Sequence, residues 1–86
     1  MMKMLTVYIL RSKQVSTQLY VGLTNDVEKR LEEHNSMESE HTRKYAPWEV
    51  ETKITFKNPG LARRFERYLK SGSGRAFRKK HLISNP

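Results

Sequence analysis

Three stretches of the chain are rich in β-forming residues with apolar or alternating patterning, and three others show helical spacing. Val7-Tyr8-Ile9 belongs to a first predicted strand, about Met4 to Leu10, and Tyr20-Val21-Gly22 to a second, about Gln18 to Leu23. The segment between them, Arg11 to Leu19, is polar and suits a hairpin loop that brings Tyr8 and Tyr20 close together. Thr24-Asn25-Asp26 then turns the chain into a helix reaching about His34. Asn25 is the expected N-cap, Glu28 follows at capping-box spacing, and Asp26 adds favourable charge to the first turn.

Asn35 to Pro47 is polar and reads as an exposed, mobile loop. From Trp48 to Phe56 the period is two. Trp48, Val50, Thr52, Ile54 and Phe56 take one face, while Glu49, Glu51, Lys53 and Thr55 take the other, which predicts a third strand. Asn58-Pro59 opens a second helix, with proline at the first helical position, where its missing N–H costs nothing. That helix ends near Lys70, because Ser71-Gly72-Ser73-Gly74 reads as a helix stop and tight turn. Arg75 to Ile83 predicts a final short helix. The order β-β-α-β-α-α describes an α+β domain over residues 1–86, a three-stranded antiparallel sheet flanked by helices.

At 86 residues the chain has room for only a small core. It has no cysteine, so neither disulfides nor thiolate-bound metal supports the fold. No apolar stretch reaches membrane-spanning length, and Met1-Met2-Lys3-Met4-Leu5 is too short for a signal peptide; a cytoplasmic protein without a membrane partner is expected. The net charge of +8 is unevenly spread. From Lys57 onward nine lysines and arginines face a single acid, Glu66, whereas the preceding part is balanced. A basic lobe of this density suits a phosphate backbone. Arg63, Arg67, Lys70, Arg75, Arg78, Lys79 and Lys80 are the candidate contacts, with Arg43 and Lys44 closing from the loop. The bland alternative is a solvated helix face.

Three charges fall on stripes that should pack against the sheet. The first helix places Val27, Arg30, Leu31 and His34 on one side. Arg30 there either meets an anionic or hydrogen-bonding partner or snorkels to water, and His34 either joins a site or caps the helix C-terminus. The second helix carries Glu66 among Ala62, Phe65 and Leu69. Glu66 reads either as an i to i+4 ion pair with Lys70 or as a carboxylate for Mg²⁺, which often binds through one or two protein carboxylates beside substrate phosphates. Tyr8 and Tyr20 read as core aromatics or, beside Arg30, as part of a phosphate-handling site.

These residues resemble the GIY-YIG nuclease family. Val7-Tyr8 corresponds to the end of its first signature, with Thr6 where glycine is usual, and Tyr20-Val21-Gly22 to its second. Arg30 falls where the family has its catalytic arginine, His34 matches a histidine of some members, and Glu66 matches the metal-binding glutamate. The stretch from Phe65 to Phe77 resembles a small standalone subgroup similar to the N-terminal nuclease domain of the excinuclease. Leu23 stands where excinuclease-like members often carry lysine, and Arg78 where some have asparagine.

The resemblance implies a metal-dependent endonuclease hydrolysing DNA phosphodiesters, of the kind used in DNA repair, selected by DNA structure or targeted by a protein partner. It assigns one divalent ion, Mg²⁺ or Mn²⁺, to Glu66 and the phosphate to Arg30. It makes Tyr8 the proton acceptor and Tyr20 a positioning group, with His34 as relay or phosphate contact. The competing expectation is a module of the same fold that binds DNA or RNA without cutting it.

Overall fold

The computed structural model describes residues 4–36 and 40–85. Strand β1 (Leu5–Ser12) lies at the centre of the sheet, with β2 (Leu19–Thr24) antiparallel on one side and β3 (Trp48–Phe56) antiparallel on the other. Helix α1 (Val27–Asn35) follows β2, and α2 (Pro59–Lys70) and α3 (Gly72–His81) follow β3. The element order and the antiparallel three-stranded sheet are those expected from the sequence.

The central position of β1 explains its composition. All its residues but Leu5 are buried, because both faces of the sheet are covered. Val7 and Ile9 pack with Val21, Ala62 and Leu69 on the side of α2 and α3. Tyr8 and Leu10 point the other way and pack with Ala46 and Trp48, with Val27 and Leu31 of α1 against them. Alternation along β1 therefore sorts apolar aliphatics to one layer and the first tyrosine to the other.

Four details differ from the sequence reading. The α1 N-cap is Asp26, whose carboxylate accepts from the Lys29 amide at 3.1 Å; with lysine at N3 there is no capping box. Ser71-Gly72-Ser73-Gly74 is no tight turn but the start of α3. Ser71 ends α2 and caps α3, accepting from the Gly74 amide at 3.1 Å. Gly74 is required by proximity, since a Cβ there would collide with the Tyr68 carbonyl.

The alternation of β3 is broken by a bulge. Thr52 pairs with Ile9 but Val50 pairs with Leu10, so Glu51 is an extra residue between them. Trp48 and Val50 consequently join the Tyr8 layer, whereas Phe56 joins the layer beneath α2. Period two identified the strand but not its change of face.

The segment after α1 is not a mobile loop along its whole length, although residues 37–39 lie outside those described. Thr42 and Ala46 are buried, and Arg43–Tyr45 forms a 3₁₀ turn. The Trp48 indole donates to the Thr42 carbonyl at 2.8 Å, and the Ser12 hydroxyl donates to the Tyr45 carbonyl at 2.7 Å. Asn35 holds the Trp48 backbone by both its amide groups.

Candidate functional site

Tyr8 and Tyr20 come from adjacent strands on the α1 face. Tyr8 pairs with Gly22 and Tyr20 with Leu10, leaving the two rings 6.2 Å apart between centroids. Gly22 provides the seat for Tyr8: a Cβ built at Gly22 would fall on the phenol ring and hydroxyl. The phenol is buried and reaches the last turn of α1, where its hydroxyl lies 3.2 Å from His34 Nε2. On the far side of the imidazole, Nδ1 lies 2.8 Å from the Thr42 hydroxyl. Tyr20 lies against the same ring, 4.8 Å between centroids.

His34 is thus wholly buried and hydrogen-bonded at both nitrogens rather than capping the helix end. Its pKa is lowered, first by burial and then by the charge of Arg30, so the imidazole is neutral at physiological pH. A neutral ring with hydrogen on Nδ1 donates to Thr42 and accepts the Tyr8 hydroxyl at Nε2.

Arg30, one turn before His34, is at the edge of the buried stripe with its side chain 40% exposed. It pairs with Glu33 at 2.6 Å, and its guanidinium also favours the Tyr8 phenolate by hydrogen bonding and charge. Burial nevertheless dominates at Tyr8, and Tyr20 adds to it, so the Tyr8 pKa is raised above 10 despite Arg30. Arg30 alone therefore does not make the phenol a ready base: without a further cation, Tyr8 stays protonated at neutral pH.

Glu66 belongs to the other layer. Helix α2 covers the sheet face opposite α1, and Glu66 pairs with Lys70 at 2.5 Å in the i to i+4 arrangement. Its side chain is only 15% exposed, so the carboxylate is largely removed from water and held by a lysine that is itself half exposed. No group of three or more acidic or imidazole ligands occurs among the described residues. The donor set fits a hard divalent ion held by one protein carboxylate, with the remaining ligands from water or substrate phosphate.

The other basic candidates lie on three elements, α2, α3 and the 3₁₀ turn. Arg63, Arg67 and Lys70 are exposed on α2, and Arg75, Lys79 and Lys80 on α3, while Arg78 is half-buried. Arg43 and Lys44 are exposed on the anchored 3₁₀ turn. Sequence reasoning missed two participants. Thr42 carries no periodic signal, and Glu33 reads as one of several solvated acids on α1 although it holds Arg30.

Among the described residues, no helix is long and apolar enough to cross a membrane. No curated protein matches the chain significantly. The solution NMR structure of a UPF0213 protein from Bacillus halodurans is similar, with 28% identity and a TM-score of 0.54, covering 90% of this chain and 83% of that one. The family model described as the GIY-YIG catalytic domain matches residues 4–80, which take in both tyrosines, Arg30, His34 and Glu66. With that match over nearly its whole length, the chain belongs to the GIY-YIG nuclease family.

Proposed function

We propose that the protein is a divalent-metal-dependent endonuclease that hydrolyses DNA phosphodiester bonds at the Tyr8–His34–Arg30 cluster. The observation that carries this reading is the hydrogen bond from the buried Tyr8 hydroxyl to a neutral His34, with a guanidinium beside it. Such a cluster is costly to bury for packing alone, since each polar atom must find a partner.

Water attacking phosphorus has to lose a proton. Tyr8 accepts it on the phenol oxygen as its own proton passes to His34 Nε2, so a free phenolate need not form before the attack. Thr42 steadies the imidazole through Nδ1. Arg30 exchanges Glu33 for the non-bridging phosphate oxygens, using its bidentate fork. Tyr20, against both Tyr8 and His34, orients the water or the phosphate. Glu66, on the sheet face opposite this cluster, would be the carboxylate that holds Mg²⁺ or Mn²⁺, and such an ion would supply charge to offset a leaving oxygen only with substrate phosphate reaching both faces. The exposed cations of α2 and α3 attract the backbone without reading bases, so the choice of site comes from DNA structure or from a protein partner.

The test compares wild type, Tyr8→Phe and Glu66→Ala on supercoiled plasmid and a branched duplex, with Mg²⁺, Mn²⁺ or EDTA. Metal-dependent cleavage by the wild type, lost in both variants, is expected. Absence of cleavage with salt-sensitive binding intact would replace this reading with a binding module of the same fold.

A further inference from the structure

The α3 side of the sheet holds a second basic feature, distinct from the tyrosine cluster. A cavity of about 380 Å³ is lined by Arg75, Arg78 and Lys79 of α3, with Arg11, Leu19 and Ser84 among its walls. Positions 75, 78 and 79 form one helical stripe, so three cations converge on the same space. Among the described residues, no carboxylate lines the cavity and none of the three is ion-paired. Burial, and then the charge of Arg75, push the Arg78 guanidinium below its usual pKa, which marks a cation held half out of water against a like charge.

The walls are built rather than incidental. Arg11 is committed elsewhere: it donates to both Glu51 oxygens and to the carbonyls of Ser16 and Ser84. Glu51, the extra residue of the β3 bulge, also accepts the Ser84 amide at 2.6 Å. Thr52 donates to the Leu82 carbonyl. These bonds fasten the segment after α3 to the sheet, and that segment forms one side of the open cavity.

We infer that this cavity binds a phosphomonoester, supplied by the phosphorylated end of a nucleic-acid strand. A monoester carries about −1.5 to −2 charge at neutral pH and exposes three acceptor oxygens, matching two arginine forks and a lysine. A backbone diester carries a single charge and continues on both sides, which suits the exposed Arg63 and Arg67 of α2 better than three cations converging on one open depression. The inference rests on the nucleic-acid reading above only for the source of the phosphate.

The experiment measures binding in EDTA, so that no cleavage is needed. Probes are one short oligonucleotide with a 5′-phosphate, a 3′-phosphate or neither, together with a nucleoside monophosphate and inorganic phosphate. One phosphorylated strand is expected to bind roughly tenfold tighter than the unphosphorylated strand. Arg78→Gln should erase that preference, while affinity for the unphosphorylated strand falls only by the few-fold that loss of one cation costs on any backbone. Arg75→Gln, at an exposed position, gives the same readout if the first variant melts early by circular dichroism. Tyr8→Phe should keep the preference, which separates failure of this site from failure of the nuclease. A nucleoside monophosphate binding as tightly as the strand end would support the phosphomonoester site with a free nucleotide as its source. Equal binding of phosphorylated and unphosphorylated strands, or a preference that survives both arginine variants, would overturn the inference.

Discussion

The phenol of Tyr8 occupies the space that a side chain at Gly22 would need. The two residues are directly paired across β1 and β2, so the second signature's glycine exists for the first signature's tyrosine. Only with that space open does the hydroxyl reach His34.

Gly22→Ala tests this relationship. The added methyl must push the ring away, a form of overpacking that costs about 1–3 kcal/mol. Chemical denaturation should show that loss, and cleavage should fall further than stability does. A variant of wild-type stability and activity would mean that Tyr8 has another way to reach its place.

His34→Ala removes the imidazole partner of the Tyr8 hydroxyl and takes from the Thr42 hydroxyl its bond to the ring. Abandoning buried polar groups costs about 1–3 kcal/mol each. The pH profile adds a sign. Because the folded pKa of His34 is depressed, its stabilising contribution is present above about 6.5 and is lost as pH falls through the lower folded value. Since only the neutral ring accepts a proton, the acidic limb of cleavage should also lie below 6.5 and disappear in His34→Ala.

Glu33→Gln should release Arg30 from its 2.6 Å ion pair. The pair is partly exposed, so stability should change by no more than about 0.5 kcal/mol. DNA binding should tighten several-fold at low salt, and unchanged affinity would remove Arg30 from the phosphate contacts.

Glu66→Gln distinguishes a helical ion pair from a metal ligand. Loss of the pair with Lys70 should cost about 0.2–0.5 kcal/mol, near the limit of measurement. Metal-dependent cleavage should nevertheless collapse, and isothermal titration with Mn²⁺ should lose its binding signal. Full activity in this variant would leave Glu66 with the structural role alone.

Glu51→Gln breaks the bulge's hold on Arg11 and Ser84. Both side chains of the ion pair are nearly buried, 10% and 13% exposed, so about 2–3 kcal/mol is expected, below the cost for full burial. The Arg11 and Ser84 bonds hold the Glu51 carboxyl below its usual 4.5, so this stabilisation is present above that value and fades as the pH falls through the lower folded pKa. Urea midpoints measured across the acid range should show the wild type losing this increment and the variant lacking it.

Much of the site was legible because it follows local rules. Alternation placed Tyr8 and Tyr20 on strands, and 3.6-residue spacing put Arg30 and His34 on one side of α1, where the structure holds them. Thr42 was not legible: it reaches His34 through a segment with no periodicity, held by Trp48 and Asn35. The bulge at Glu51 was equally hidden, because a strand that changes face within nine residues still reads as period two.

The sequence by itself determined the elements, their order, the antiparallel sheet and the basic lobe, since propensity, patterning and net charge are properties of neighbouring residues. Tertiary structure alone decided which charges lie together. It set His34 inside rather than at a helix cap, tied Arg30 to Glu33, and placed Glu66 in the opposite layer beside Lys70. It also gathered Arg75, Arg78 and Lys79 around a cavity walled from β1, β2 and the segment after α3. The physical reason is that burial and Coulomb interactions depend on distance in space, and in a sheet covered on both faces a single residue's shift in register selects the layer a side chain joins.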